Sequence, residues 1–220
     1  MDTLDRPLLA FAGSTRHDSW SATLLRQAVL NASTLRADVE VVDLRSFPLP
    51  LFDADLERQQ GVPPLARKLR ALMQQSAGFL IASPEYNGAV SPLVKNVLDW
   101  TSRPEPGDDE KLPFRGKPAA LMSVSPGGFG GFRGLMNLSS ILGSLGMHVL
   151  PEYVIVGNAP QAFDAQGRLV QQRQRDALAS LVARHIGLAA TLPQAARIAT
   201  QLLHELKELD GAVAHACEVP

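Results

Sequence analysis

The chain has 220 residues, enough for one ordinary domain with a substantial core. Its 21 Lys and Arg residues nearly balance 22 Asp and Glu residues, and the net charge of -1 excludes a broad basic field for nucleic acid or an anionic membrane. The single cysteine, Cys217, excludes an internal disulfide, and no Cys or His cluster has metal-ligand spacing.

Membrane and secretory segments are also not expected. No stretch approaches the ~20 consecutive apolar residues that a membrane span requires. The first residues lack the charge and apolar pattern of a secretory signal. We therefore expect a cytoplasmic protein with no membrane partner.

Strands and helices are predicted to alternate five times along the chain. Apolar runs mark the strands, and helical patterns follow each of them; the strands are expected at residues 8–12, 39–44, 78–82, 118–124 and 148–156. The last of the five helices is expected at 171–186. This alternation predicts an α/β fold, a doubly wound five-stranded parallel sheet with helices on both faces and right-handed crossovers.

Three further segments lie outside this alternation. Residues 45–64 are rich in proline without a sustained period and are interpreted as a long surface connection. The polar segment 102–117, with its acidic run at 108–111, is either a solvated loop or a loop that recognises a cofactor. The tail adds a helix over 193–209 whose apolar stripe needs a surface, on its own domain or on a neighbouring subunit; the stripe comprises Ile198, Ala199, Leu202, Leu203, Leu206 and Leu209.

Three loops of unusual composition follow the first, third and fourth strands. A doubly wound sheet places the carboxyl ends of its strands along one edge, where such folds bind ligands. We therefore expect these three loops to form one site.

The first loop, Gly13 to Ser21, has the composition of a phosphate site. Backbone N–H groups and the helix dipole attract an anion at such a position, and the hydroxyls of Ser14, Ser19 and Ser21 add donors. The guanidinium of Arg16 matches phosphate oxygens. The alternative is an ordinary helix start, with Ser19 as the N-cap and Arg16 in solvent. The loop matches neither the P-loop nor the dinucleotide fingerprint.

The second loop contains Pro84, Glu85, Tyr86, Asn87 and Gly88. Proline and glycine give this loop a defined shape. A carboxylate, an aromatic ring with a polar tip and an amide suit a flat heteroaromatic ligand with several hydrogen-bonding groups.

The third loop, Ser125 to Gly131, contains four glycines. Without side chains at Gly127 and Gly128 the backbone can approach a ligand closely, with Ser125 beside it. The alternative is a flexible turn that touches nothing. No residue pattern in the chain is typical of a nucleophile or of a catalytic acid and base, which indicates that a cofactor carries the chemistry.

Together the three loops resemble the NADPH-dependent FMN reductase family of flavodoxin-like proteins, which includes quinone, chromate and azo-dye reductases. The likeness extends over about residues 8–186. It implies that Ser14, Arg16, Ser19 and Ser21 hold the FMN phosphate, because the family uses a G-S-x-R-x-x-S segment there. It also implies that residues 84–88 contact the ribityl chain and the ring, and that Ser125, Gly127 and Gly128 line the other side of the flavin.

The resemblance implies a flavodoxin-like FMN-binding domain at 1–188 and a C-terminal helical extension at 189–220. NADPH or NADH would pass a hydride to FMN, and the flavin would reduce a small acceptor such as free flavin, a quinone, an azo compound or chromate. A homodimer or homotetramer is expected, and no residue is assigned as a catalytic acid or base.

Two alternatives remain open at this point. One is a flavodoxin-like electron carrier without direct nicotinamide oxidation, which the near-zero net charge disfavours. The other is a non-catalytic module that kept the fold.

Overall fold

A computed structural model of the protein describes residues 4–105 and 113–216, without the side chains of 208–216. The acidic run at 108–111 and Cys217, both noted in the sequence, lie outside the described residues.

Eight strands are assigned in the described chain: β1 (Leu8–Ala12), β2 (Val39–Val42), β3 (Gly78–Ala82), β4 (Glu85–Tyr86), β5 (Ala89–Val90), β6 (Pro118–Val124), β7 (His148–Val149) and β8 (Val154–Val156). The main sheet is parallel and has the order β2-β1-β3-β6, with β7 and β8 both paired to the outer edge of β6. Every residue of β3 and β6 is buried, because helices cover both faces of a parallel sheet. The predicted doubly wound sheet is confirmed.

The helices are α1 (Trp20–Thr34), α2 (Ala54–Gln60), α3 (Pro64–Gln75), α4 (Pro92–Thr101), α5 (Phe132–Ser144), α6 (Ala159–Ala162) and α7 (Gln172–Ala216), with a 3-10 turn at Leu44–Ser46. One face of the sheet packs against the apolar sides of α1 and α7. The other face packs against α3, α4 and α5. The sheet therefore has a separate core on each side.

The fifth strand of the sheet is interrupted. Four residues, 150–153, stand opposite only two residues of β6, 120–121, so the predicted strand at 148–156 is split into β7 and β8. Pro151 lies in this bulge, and a proline cannot donate to a strand ladder. The predicted position of the strand is right, but its predicted continuity is wrong.

The connection between β2 and α3 has more structure than its composition predicted. It contains the 3-10 turn and α2, whose N-cap Asp53 accepts from the N–H groups of Asp55 and Leu56. The connection is fastened to α4, because Trp100 Nε1 donates to the Pro50 carbonyl at 2.7 Å and Asn96 Oδ1 accepts from Phe52 N at 2.7 Å. The predicted long surface connection at 45–64 is confirmed in its position, since most of its residues are exposed or half-buried, but it contains a helix that its composition did not predict.

The last two predicted helices form one continuous helix of 45 residues, α7. Its first part packs on the sheet, and Ala189 is the last buried residue among the side chains that the structure describes, which end at Lys207. Beyond that point α7 continues through Pro193, and its described side chains, up to Lys207, are exposed apart from the half-buried Leu192. The predicted C-terminal helix is present, but it is not separated from the helix before it.

The described residues include no helix that is long and apolar enough to cross a membrane. Within the same residues no group of three or more His, Cys, Asp or Glu side chains is placed to hold a metal ion.

A histidine of α7, His185, is fully buried against the first residues of β3 and β6. The ring of His185 is beside Gly78 and Pro118, where a Cβ on Gly78 would come within 2.9 Å of the ring carbon Cε1. Neither ring nitrogen has a hydrogen-bond partner. Burial lowers the pKa of His185 to about 3, so the ring is neutral in the folded protein.

We predict that His185 makes the folded state less stable in mild acid. The unfolded chain has an ordinary histidine pKa of 6.5 and binds a proton as the pH falls below that value, whereas the folded chain does not. Stability should therefore fall as the pH drops from 6.5 towards 3, with a slope of up to about 1.4 kcal/mol per pH unit from this group.

Urea unfolding of wild type and His185→Leu at several pH values measures the effect. The difference between the two free energies of unfolding should change with pH below 6.5, whereas His148→Gln, at an exposed position, should follow wild type. A pH-independent difference for His185→Leu would contradict the prediction.

Candidate functional site

The three loops predicted from the sequence meet at one edge of the sheet. They follow β1, β3 and β6, which are adjacent and parallel. Backbone hydrogen bonds join the ends of these strands, from Gly13 N to the Ala82 carbonyl at 2.8 Å and from Ser83 N to the Met122 carbonyl at 3.0 Å. The loops therefore converge because the parallel pairing of β1, β3 and β6 places the carboxyl ends of these strands side by side.

The first loop packs directly on the start of α4. Ser91, the N-cap of α4, donates its hydroxyl to the Gly13 carbonyl at 2.9 Å. A Cβ on Gly13 would lie 2.4 Å from Val94 Cγ2, closer than real Cβ contacts allow. Glycine is required here because the side chain of Val94 packs directly on the Gly13 backbone.

Two serines of the first loop, Ser19 and Ser21, are buried at the start of α1. Ser19 is the N-cap of α1, and its hydroxyl oxygen accepts from Ala22 N at 3.3 Å, as the alternative interpretation predicted. Ser21 lies in the first turn and is only 3% exposed. The N-terminus of the fifteen-residue helix α1 therefore points into the loop, with both hydroxyls behind the loop surface.

The exposed part of the first loop contains the positively charged side chain of Arg16. Arg16 is exposed, and its guanidinium carbon lies 5.5 Å from the centre of the Trp20 ring. The half-buried Ser14 accepts a long hydrogen bond from Arg16 N, at 3.4 Å. An anion placed over the start of α1 would meet a helix dipole and a planar guanidinium together.

The second loop is a β-hairpin. Strands β4 and β5 pair antiparallel, and the turn residues Asn87 and Gly88 have positive φ angles of 51° and 81°. Asn-Gly is the preferred sequence for the type I′ turn that such angles define. The predicted defined shape of the loop is confirmed, and Tyr86 is left 45% exposed at its edge.

The carboxylate of Glu85 is directed away from the exposed edge and towards α5. Its Oε2 accepts from Gly134 N at 3.0 Å, and its Oε1 accepts from Arg133 Nη2 at 2.7 Å and Nε at 3.0 Å. The side chain of Glu85 is only 9% exposed. Burial raises the pKa of this carboxyl, but the bonds from Gly134 and Arg133 outweigh burial and hold the pKa below its usual value.

Glu85 therefore serves as a cap for a helix in another part of the chain. The residue before α5, Gly131, is left-handed and offers no side chain to cap the helix. The carboxylate of Glu85 supplies that acceptor and also places a negative charge at the positive end of the helix dipole. The second and third loops are fastened to each other through this contact.

The four glycines of the third loop fall into two groups. Gly130 and Gly131 have φ angles of 59° and 88°, and a Cβ on either would collide with Ile155 or Ser123. Gly127 and Gly128 are exposed, and a Cβ there would meet nothing closer than 3.9 Å. The fold thus requires glycine at 130 and 131, whereas its own packing does not require glycine at 127 or 128.

The rest of the third loop is placed by backbone bonds. Ser125 N donates to the Val156 carbonyl at 3.0 Å, and Ser125 Oγ donates to the Gly127 carbonyl at 3.2 Å. Phe129 is 74% exposed, with the Arg133 guanidinium 5.8 Å from its ring centre. The loop presents bare backbone and one aromatic face to the exterior.

The sequence interpretation missed two residues of α5 that hold the second loop. Arg133 pairs with Glu85, and Asn137 Oδ1 accepts from Val90 N at 3.2 Å. Both lie one helical turn apart on the same side of α5. That spacing was visible in the sequence, but their partners lie more than forty residues away and no local pattern identifies them.

A cleft of about 320 Å³ lies beside the first loop, on the side of the 3-10 turn and α4. Its walls are mostly apolar, and it shares only Thr15 with the three loops; the lining residues are Thr15, Leu44, Arg45, Phe47, Pro48, Leu49, Leu93, Asn96 and Val97.

The sequence of this chain is similar to those of known proteins. The family model for NADPH-dependent FMN reductases matches residues 7–161. An NAD(P)H-dependent FMN reductase of Pseudomonas aeruginosa is 34% identical over 174 residues, covering 78% of this chain and 89% of that protein. An NADPH:quinone oxidoreductase of Arabidopsis thaliana is 37% identical over 184 residues, covering 80% and 89%.

A solved structure is similar over most of the chain. FerB, a flavoenzyme NAD(P)H:(acceptor) oxidoreductase of Paracoccus denitrificans, superimposes with a TM-score of 0.71 at 25% identity, covering 84% of this chain and 97% of FerB. The family match includes all three loops of the site. The chain belongs to the NADPH-dependent FMN reductase family.

Proposed function

We propose that the protein is an FMN-dependent NAD(P)H oxidoreductase that reduces a small acceptor, such as free flavin, a quinone, an azo compound or chromate. The observation that carries the proposal is the convergence of three loops with distinct chemistry at one edge of the sheet, in a chain of this family. The loops offer a cation at a helix start, a rigid hairpin and a bare glycine backbone.

The residues present fit FMN. An FMN phosphate would lie over the start of α1, held by Arg16, Ser14 and backbone N–H groups, with Ser19 and Ser21 behind them. The ring would lie between the hairpin of 84–88 and the open backbone of Gly127 and Gly128, where no side chain obstructs it. Ser125 would border the same face.

The protein's part in the reaction would be to hold the flavin ring in position. The chemistry that the flavin supplies when bound is transfer of a hydride from reduced nicotinamide to the acceptor. The cap from Glu85 to α5 keeps the hairpin and the glycine loop at a fixed separation, so the ring site is formed before binding. Glu85 is bound to Arg133 and Gly134, and we assign no catalytic acid or base.

Assembly and location belong to the same proposal. A homodimer or homotetramer is supported by the exposed apolar part of α7. A cytoplasmic location is supported by the single cysteine.

Anaerobic titration of the FMN-loaded protein with NADH and with NADPH tests the function. Bleaching of the oxidised flavin band, followed by its return when a quinone is added, is the expected result. Flavin that binds but stays oxidised with both nucleotides would instead support an electron carrier. Protein that does not bind FMN would support a non-catalytic module and contradict the proposal.

We predict that Arg16→Ala weakens FMN binding. A charge-assisted hydrogen bond to phosphate contributes about 1.5–3 kcal/mol, which corresponds to roughly a tenfold to hundredfold higher Kd. Fluorescence titration with FMN measures the change. Arg26→Ala removes an exposed arginine on the outer part of α1 and should leave the Kd unchanged; equal effects of both substitutions would contradict the phosphate role.

We also predict that Gly128→Val raises the Kd for FMN while the melting temperature of the apo-protein stays within a few degrees of wild type. The protein has room for the new side chain, so a loss of affinity would come from a clash with the ring. Gly131→Ala serves as the opposite control, because its Cβ would lie 2.0 Å from Ser123 Oγ and should lower the melting temperature. Unchanged FMN binding by Gly128→Val would contradict contact with the ring and would support the alternative that the third loop is a flexible turn without a ligand contact.

Replacement of Glu85 should lower the stability of the folded protein and should increase local opening of the hairpin and of the first turn of α5. Glu85→Ala leaves the N–H of Gly134 without its acceptor and removes the partner of Arg133, which we expect to lower the free energy of unfolding by about 1–3 kcal/mol. Glu85→Gln retains an acceptor oxygen and should lose less.

Hydrogen exchange of the apo-protein separates this effect from general destabilisation. Amides of the 85–90 hairpin and of the first turn of α5 should exchange faster in Glu85→Ala, while those of β1 and β3 should change only by the global difference in stability. Uniform acceleration across the sheet and the hairpin would contradict a local linking role.

A further inference from the structure

The C-terminal half of α7 presents a large apolar surface to solvent. After Ala189, residues 190–207 are exposed apart from a half-buried Leu192. Four aliphatic side chains in this segment are more than half exposed: Ile198 at 51%, Leu202 at 54%, Leu203 at 59% and Leu206 at 57%. The domain core of this chain does not cover them.

The apolar residues of the segment repeat with the period of a coiled coil. Steps of three and four residues alternate without a break through a series that we term the heptad stripe: Leu192, Ala195, Ala199, Leu202, Leu206, Leu209 and Val213. An alternation of this kind over three heptads keeps one seam facing a partner helix. Ala196, Ile198 and Leu203 flank the seam and widen it.

The size of the surface indicates a partner. At roughly 60–120 Å² of apolar area per aliphatic side chain, the four exposed ones alone provide roughly 250–500 Å² per chain. The alanines and Leu192 extend this strip towards the roughly 800 Å² per partner of a standard interface. A continuous exposed apolar strip of this size marks an interaction site.

The period and the charge identify the partner as a second copy. A seam that repeats every 3.5 residues is complementary to a helix with the same repeat, and two copies of one chain satisfy this condition symmetrically. A membrane surface fits less well, because the segment 190–216 has no cationic excess: its sequence has two basic residues, Arg197 and Lys207, against three acidic ones, Glu205, Glu208 and Asp210.

We propose that the C-terminal segments of two copies of this chain pair along the heptad stripe as a coiled coil. Pro193 lies next to the first turn of the stripe but outside its seam, where its missing N–H does not interfere with the partner. The glutamines and the arginine of the segment lie on the outer side. The pairing does not depend on the flavin activity and adds an interface separate from the three-loop edge.

Sedimentation velocity of the full-length chain tests the pairing. Leu202→Glu/Leu206→Glu places two charges in the seam, and we expect the mass of the assembly to fall by half. Gln194→Glu/Thr200→Glu adds the same charge outside the seam and should retain the wild-type mass. A third variant, Leu202→Ala/Leu206→Ala, retains helix-forming residues and should raise the dissociation constant of the assembly at least tenfold.

Each outcome decides the proposal. Retention of the wild-type mass by the glutamate pair, or an equal loss in the seam and control variants, would overturn it. A wild-type chain that sediments at 23.7 kDa, as a monomer, would overturn it as well. Circular dichroism of each variant shows whether the helix is retained, and the alanine pair decides the question if the glutamate pair loses helix.

Discussion

The carboxylate of Glu85 is the contact on which the geometry of the site depends. It joins the hairpin after β3 to the first turn of α5, across a separation of 49 residues in the chain. Because α5 begins at a left-handed glycine without a capping side chain, the helix depends on this distant acceptor. The hairpin in turn is held at its other end by Asn137. Two walls of the proposed flavin site are therefore one unit, positioned before any ligand arrives.

The strands were predictable because of how they are buried. β1, β3 and β6 are covered on both faces, so they appear in the sequence as apolar runs, interrupted only by Ser123 in β6. Their alternation with helices along the chain indicates a parallel sheet. The edge strand at 148–156 was harder, since Pro151 interrupts the ladder. Structure in 45–64 could not be predicted from local pattern, because the contacts that hold it come from Asn96 and Trp100 on a distant helix.

The site was predictable to a different extent in each loop. For the first loop, the composition predicted both an N-cap and an anion site, and the geometry shows how the two are compatible: Ser19 caps α1 from inside while Arg16 remains outside. For the second loop, the residue types suggested a ligand-facing carboxylate. The direction of Glu85 depends on Arg133 and Gly134, and a short motif contains no information about residues so far away.

The glycines of the third loop show how a structural requirement can be separated from a functional one. Gly130 and Gly131 need no ligand to explain them, because positive φ angles and the contacts with Ile155 and Ser123 already exclude other residues. Gly127 and Gly128 have neither reason, although glycine in place of alanine raises the entropy lost on folding. A residue type that the folded chain does not itself require is best explained by a molecule that approaches the backbone there. In the proposed complex the flat face of the ligand would therefore lie against these two positions, opposite the hairpin that Glu85 holds in place.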